Sequence, residues 1–527
     1  MDLEIIPAET ATRAERLALR VLQLGAIAVV VAASLHRGFD LDRFLVPKEI
    51  ALHATALLAG LLTLRRGSVS RKDEPNVGRG FSPPLPGEGG TTHNSTIHRI
   101  DLALLAFVLL SAVSAVFATN PWLGMRALAV SASSYVIFRA ARAVPSEPLL
   151  NALAFAVVLA ASISLAQAYG AELELFSPNR SPGGTLGNRN FVGHAAAFGL
   201  PVVLLAALRG SRLAPFGVGI VMAALVLTRS RGAWLAAAAV ALVFFVGVIR
   251  ARAWKRFTLV LLFAAAGVLA ALLVPNTLRW RSDNPYLDSL AGVASYDEGS
   301  GRGRLVQYER SLRMAAAHPL LGVGPGNWPV VYPEHAAPRD PSLDRNVPGM
   351  THNPWPSSDW IACISERGFA ATLLLGLAFL GLALIAFRDR EDPLRATALL
   401  GTIAGAGVTG AFDAVLLLGA PALLVWAALG ALVPRGIVQS RSRWGILAAL
   451  AMIVITALGL TRSTAQLVAM DLFTRGSITD AARIDPGNFR ARLRLARSGK
   501  RSVRCAHAAA AHALFPNAQA ARSARCK

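Results

Sequence analysis

Charge is scarce in this chain. Only 16% of its 527 residues are charged, while 54% are hydrophobic. A soluble domain carries about 25% charge to cover its surface, so the deficit excludes a soluble globular protein. Cysteine is scarce too. Cys363, Cys505 and Cys526 are the only three, and their spacing suggests neither a disulfide framework nor a metal site. Acidic residues number 31 against 53 Lys and Arg. No acidic cluster resembles a metal site, so neither a metal nor a cofactor is expected. The net charge of +22 would suit nucleic acid, but the basic residues come as short clusters between hydrophobic runs, without interleaved aromatics. That placement marks topology signals and argues against nucleic-acid binding. The first twenty residues lack a small-residue cleavage site, so the first helix reads as an uncleaved anchor.

What the chain does have is long apolar blocks. The stretches 102–118, 149–169, 232–249 and 257–274 approach the roughly 20 residues that cross a bilayer as a helix. The expected fold class is all-α, a polytopic membrane helix bundle of about thirteen transmembrane helices. They lie near 18–35, 49–65, 101–119, 123–140, 149–168, 191–208, 214–228, 232–249, 257–274, 361–387, 395–412, 413–433 and 444–460. Basic residues follow every even-numbered span: Arg65 and Arg66, Arg139 and Arg142, Arg209 and Arg212, Arg250 and Arg252, Arg388 and Arg390, Arg435 and Arg441. The positive-inside tendency then puts these exits and the N-terminus in the cytoplasm.

The organisation follows from that count. Residues 1–460 form the transmembrane domain. Within it, 66–98 is rich in Gly, Pro and Ser and reads as a disordered cytoplasmic loop, while 275–360 is a long loop on the opposite, periplasm-like face. So long a loop in a compact protein is usually functional. Residues 461–527 form a helical tail with the punctuation of one degenerate tetratricopeptide-like repeat, expected on the same outer face and able to recruit an envelope partner.

Chemistry is sought where charge defies topology. Arg229 and Arg231 occupy a very short turn on the outer side, where basic residues need a reason. Guanidinium holds phosphate bidentately, so the pair reads as a site for a lipid-linked diphosphate. The plainer explanation is snorkelling to headgroups. Arg189 is a further anion ligand by the same argument, and its neighbours Asn188 and Asn190 read as caps. Arg304, at the start of an amphipathic helix, opposes the helix dipole unless an anion is near. The glycines of 318–328 read as structural. His352, whose side-chain type titrates near neutral pH, is a candidate general base. Glu366 and Arg367 lie inside an apolar helix, where unpaired charge is costly, and are expected to pair.

Taken in order, Gly-Thr-Leu-Gly-Asn-Arg-Asn-Phe (184–191), Thr-Arg-Ser-Arg-Gly-Ala-Trp (228–234), Arg304 through Trp328 with its His-Pro-Leu-Leu-Gly-Val-Gly-Pro-Gly-Asn core, His352-Asn353 and Glu366-Arg367-Gly368 resemble the O-antigen ligase and polymerase family of bacterial membrane glycosyltransferases. The resemblance implies a metal-independent, inverting transferase in the inner membrane. Such an enzyme takes a glycan from undecaprenyl diphosphate at the periplasmic face and passes it to an acceptor hydroxyl, as in ligation to the lipid A core. It implies diphosphate binding by Arg231 and Arg304, supported by Arg229 and Arg189, and acceptor activation by His352. The family's His-Asn position, counted back from Glu366, is here Ser357-Ser358-Asp359-Trp360, so Asp359 is the alternative base. A repeat-unit polymerase or a protein O-oligosaccharyltransferase fits the same residues. A lipid-linked sugar flippase is the non-enzymatic alternative, disfavoured because no internal symmetry is visible.

Overall fold

The computed structural model describes residues 11–64, 88–280, 282–292, 299–434, 443–498 and 500–524. The first half of the bundle comprises α1 (Arg13–Val31), α2 (Asp42–Leu64), α3 (Glu88–Val116), α4 (Pro121–Ala143), α5 (Ser146–Ala168) and α6 (Arg189–Leu208). A 3-10 turn, Gly184–Leu186, leads into α6. Then come α7 (Ala214–Thr228), α8 (Arg231–Ala251) and α9 (Trp254–Leu273). The long loop carries α10 (Pro285–Ala291), α11 (Gly299–Ala317) and α12 (Trp328–His335). The bundle resumes with α13 (Asp359–Arg388), α14 (Pro393–Phe412), α15 (Gly419–Leu432) and α16 (Arg443–Thr474). The tail adds α17 (Ile478–Ile484), α18 (Phe489–Leu495), α19 (Arg501–Leu514) and α20 (Gln519–Ser523). Among the described residues the only β pairing is one bridge, Leu343 with Thr351. The protein is an all-helical, multi-pass membrane bundle.

A helix stands at each of the thirteen expected spans, and eight helices are long and apolar enough to cross a membrane. The others fall short for visible reasons. Arg126, Arg139 and Arg142 interrupt α4. The 14 residues of α15 rise only about 21 Å against a hydrocarbon core of about 30 Å, and every one of them is buried by neighbouring helices. The centre of the bundle is α6, whose best apolar window is 94% buried. Asn188 caps it by accepting from Asn190 N at 3.0 Å, as the capping reading held for Asn188, while Asn190 lies inside the helix and supplies the amide. Local signals set other starts: Asn120 followed by Pro121 opens α4, and Asp392 followed by Pro393 opens α14.

Of the expected loop 66–98, residues up to 87 lie outside those described. Residues 88–98 begin α3 instead, because Ile97, Ile100 and Leu104 recur at helical spacing and are buried. The last expected span is likewise part of a longer element. The 32 residues of α16 rise about 48 Å, so its final turns reach beyond a bilayer and carry the tail.

Polar side chains tie that tail to the bundle. Arg126 on α4 grips Glu49 on α2, Nε to both carboxylate oxygens at 2.8 and 2.9 Å. Ser463 on α16 donates to the same carboxylate at 3.3 Å. Arg462, the residue before Ser463, pairs with Asp485 of the tail at 3.4 Å. Burial raises the pKa of Asp485, with Arg462 opposing. Cys363 is free and buried, as a small core residue would be. Cys505 is disulfide-bonded, so the expectation of no disulfide is corrected for the tail.

Candidate active site at one end of the bundle

Two helix starts and one turn bring arginines together. Arg189 is the first residue of α6 and Arg231 the first of α8, and neither helix has an acidic residue in its first turn. Each adds a cation to the positive end of a helix dipole, which favours an anion nearby. Gly193 lets the two helices meet: a Cβ there would stand 3.0 Å from that of Ser230 and 3.1 Å from Thr228 Oγ1. Arg229, between α7 and α8, has φ +52°, a left-handed conformation unusual for a side chain of that size.

Trp280 receives these arginines. The Arg229 guanidinium lies 4.6 Å from the indole centroid and that of Arg189 lies 4.9 Å away, both within cation–π range. Arg229 Nε also donates to Ser289 Oγ on α10 at 2.9 Å, and Arg231 donates to the Gly292 carbonyl that ends α10. Burial holds the Arg229 pKa below its ordinary value, with Asp288 and Tyr286 opposing. Two donors here stand out. Trp280 Nε1 and Tyr286 Oη are buried with no hydrogen-bond partner among the described residues, a condition that buried polar groups rarely tolerate.

Below this cluster runs a cavity of about 870 Å³. Its walls are Leu204 of α6, Met222 of α7, Trp234 of α8 and Phe257 and Leu261 of α9, with Tyr286 of α10 at its rim. Most lining side chains are apolar, with Asp283, Asn284 and Tyr286 as the polar ones. Tyr286 therefore belongs both to an apolar trough and to the arginine cluster.

The glycine-rich stretch 318–328 turns out to be half of a backbone clasp. Val323 N donates to Ser365 O at 3.0 Å, Gly324 N to Glu366 O at 2.9 Å, and Phe369 N to Pro319 O at 2.9 Å. The partner strand is the break in α13, where Gly368 has φ +82°. A Cβ on Gly322 would meet the Glu366 carbonyl carbon at 2.3 Å, and one on Gly368 would meet Leu320 O at 2.2 Å. Both positions thus need glycine for conformation and for space, as the structural reading of the 318–328 glycines held. Glu366 reinforces the clasp, accepting from Gly326 N at 2.8 Å and from Trp328 N at 3.2 Å. Arg367 pairs with Glu366 at 3.5 Å. Both are fully buried, and their contacts are with the scaffold.

Helix α11 joins the loop to the end of α14. Tyr308 Oη lies within hydrogen-bond distance of Ala411 O at 2.7 Å and Ser357 O at 2.8 Å, and its single O–H donates to one or the other. Gln307 Nε2 donates to Ser342 Oγ at 3.0 Å, and its Oε1 accepts from Ser357 N at 2.6 Å. Arg304 lies one turn earlier on the same face. Among the described residues no hydrogen bond or ion pair engages its guanidinium, and it lies within electrostatic reach of His194, as does Asp413. Phe412, beside Asp413, would stand 2.8 Å from a Cβ on Gly232, so the ends of α8, α11 and α14 converge.

The two candidate bases have opposite surroundings. His352 is exposed, and its backbone N donates to Ser342 O at 2.8 Å. Asp359 is buried. Its Oδ2 accepts from Val415 N at 2.8 Å and Leu416 N at 3.0 Å, and its Oδ1 from Leu416 N at 3.1 Å. That carboxylate stitches α13 to the segment after α14. The sequence reading singled out neither Trp280, Tyr286 nor Tyr308. The lone signal for Tyr308 was its place four residues after Arg304 on an amphipathic helix.

No curated protein matches the chain. Residues 216–376 match the family model described as O-antigen ligase, a span that takes in Arg229, Arg231, Arg304, the clasp and His352. Glycan transfer of the O-antigen ligase or polymerase type is what that match supports. The chain is thus a multi-pass membrane protein whose segment 216–376 is similar to the O-antigen ligase family.

Proposed function

We propose that this protein transfers a glycan from undecaprenyl diphosphate to an acceptor hydroxyl at the periplasmic face of a bacterial inner membrane. One observation carries the reading. Tyr286 lines a long apolar cavity and lies within electrostatic reach of Arg229, which with Arg189 stacks on the Trp280 indole, and both Tyr286 and Trp280 have unused donors. An amphiphile with an apolar chain and a compact polyanionic head matches that combination. The chain lies in the cavity, and Arg189, Arg229, Trp280 and Tyr286 hold the head, with Arg231 and Arg304 on its reacting side. The orientation rests on the basic even-numbered exits. A disulfide in the tail agrees with it, since disulfides persist in oxidising compartments.

In the proposed reaction the acceptor oxygen attacks the anomeric carbon from the face opposite the diphosphate. The bond to the diphosphate breaks with its electron pair leaving on phosphate oxygen, and arginines stabilise that charge. His352 takes the acceptor proton. In this reading the arginines take the role that a metal would otherwise fill, and the single displacement from the opposite face inverts the anomeric centre. Asp359 is assigned to positioning, because its oxygens already accept backbone N–H groups. Asp359→Asn is accordingly expected to lower the melting temperature while leaving measurable transfer, whereas His352→Ala abolishes transfer without lowering stability. Thermal melting and in-vitro transfer on the same preparations check both.

The neutral donors give a second expectation. Tyr286→Phe is expected to raise the KM for the lipid-linked donor about fivefold, the effect of one lost hydrogen bond of about 1 kcal/mol, with kcat kept. An unchanged KM would remove Tyr286 from the site. The acceptor is assigned as lipid A core in the first instance. A growing polymer or a protein would use the same donor half-site, and the glycan phenotype of a deletion strain separates the three. A flippase would move label across liposomes without forming new glycosidic bonds. The concentration of polar groups at one end of the bundle, away from the midplane, favours transfer.

A further inference from the structure

The last turns of the chain lie against the loop that bears His352. Asn517, between α19 and α20, donates from Nδ2 to Val330 O of α12 at 3.0 Å and to Glu334 Oε1 at 2.8 Å. Gln519 N donates to Pro348 O at 2.9 Å. A Cβ on Gly349, whose φ is +82°, would meet Asn517 O at 1.9 Å, so tail and loop backbones touch there. Met350 packs into an apolar cluster of Ala511, Ala518, Ala521, Phe489 and Phe515. The other end of this tail cap is fixed to the bundle: Asn120 Nδ2 donates to Leu514 O at 3.1 Å, and Arg462 pairs with Asp485.

The docked residues 348–350 form one arm of a narrow turn. Asp344 N donates to Met350 O at 2.9 Å, and His352 N donates to Ser342 O at 2.8 Å. Ser342 in turn is held by Gln307 of α11, one turn from Arg304. His352 is therefore fixed from two sides, by α11 on one and by the tail on the other. Its ring is exposed, and no neighbouring core grips it directly. A loop with so little apolar burial of its own drifts unless something outside it supplies the order. Small losses of alignment cost rate steeply.

We propose that the C-terminal tail is a strap that holds the His352 turn in register with the transfer site, with Asn517 as its positioning residue. This rests on the reading that His352 acts on the acceptor. It also changes the tail's expected role, since the surface around Asn517 is occupied by the protein's own loop and is not open to an envelope partner.

The test uses the full chain in lipid nanodiscs with lipid-linked donor. Asn517→Asp removes the donor to Val330 and faces Glu334 with a second carboxylate. It is expected to lower kcat at least about tenfold, to leave donor KM within about twofold, and to speed hydrogen exchange at the Asp344 and His352 amides. Adding Glu334→Lys restores attraction and is expected to recover most of the lost kcat. Gly349→Ala, acting from the loop side, should reproduce the defect. Wild-type kcat in both Asn517→Asp and Gly349→Ala overturns the strap, most directly if exchange at those amides has risen. His352→Ala separates the two ideas. If it retains transfer while Asn517→Asp loses it, the strap stands and the role of His352 falls. If it abolishes transfer while Asn517→Asp is unaffected, the strap falls and His352 keeps its role.

Discussion

Arg229→Ala should lower kcat/KM for a lipid-linked donor by about 100-fold or more, mostly through KM, and Arg304→Ala should lower kcat by a similar factor. The split follows from where each guanidinium lies. Arg229 stacks on Trp280 within electrostatic reach of Tyr286, which lines the apolar cavity; in the proposed complex it meets the head of the donor in both ground and transition states. Loss of such uniform binding appears in KM. Arg304 stands on the opposite helix, near His194 and Asp413 and without an ion-pair partner among the described residues. Its charge is of most use when the diphosphate departs, and loss of one oriented donor to developing charge costs about 100- to 1,000-fold. Lysine should rescue Arg304 better than Arg229. A point charge can still neutralise a leaving group, but it cannot stack or fork as guanidinium does. Steady-state kinetics on four variants, Arg to Ala and Arg to Lys at each position, reads this directly. Equal effects on KM at both sites would contradict the division of labour.

The second large effect concerns folding. Gly368→Ala should prevent accumulation of folded protein, and Gly322→Ala should come close. At Gly368 a methyl would enter a backbone with φ +82° and stand 2.2 Å from Leu320 O. At Gly322 it would stand 2.3 Å from the Glu366 carbonyl carbon. Left-handed strain alone costs about 1–3 kcal/mol, and the clash falls on backbone atoms that cannot rotate away. The clasp also orients the Glu366 carboxylate, which satisfies two N–H groups at the start of α12. If it opens, a buried carboxylate and a buried guanidinium lose their partners, and each such loss is costly inside a membrane protein. Monodisperse yield in detergent and thermal melting are the measurements. A melting temperature unchanged from wild type in Gly368→Ala would show that the clasp is dispensable.

Parts of this arrangement were legible in the residues. Arg229 and Arg231 stood out in the sequence because, in the expected orientation, they run against the positive-inside tendency, and the fold places Arg229 with Arg189 on one indole. The helices were legible because long apolar runs have few alternatives in lipid. What could not be read was pairing across sequence distance. The clasp joins residues about 45 apart, and nothing in His-Pro-Leu-Leu-Gly-Val-Gly names the break in α13 as its partner. Trp280 shows the same gap. It follows α9 as an ordinary interfacial aromatic, and only the fold brings Arg189 and Arg229 onto its ring. Glu366 and Arg367 were expected to pair, and they do, with each other. The backbone amides that complete the Glu366 contacts were invisible because any residue could have supplied them. Asp359 was an open alternative for the same reason, since burial and two backbone donors distinguish it from an exposed carboxylate and neither is written in its neighbours.

The central claim is that the arginine cluster and the apolar cavity together hold a polyprenyl diphosphate. Equilibrium binding of undecaprenyl diphosphate to the nanodisc-embedded protein tests it most directly, with undecaprenol and inorganic pyrophosphate as the separate halves. The account predicts tight binding of the whole lipid, much weaker binding of either half, and a loss of at least about 100-fold for the Arg189→Ala, Arg229→Ala double variant. Unchanged affinity in that variant, or equal affinity for the lipid and its headless alcohol, would contradict it.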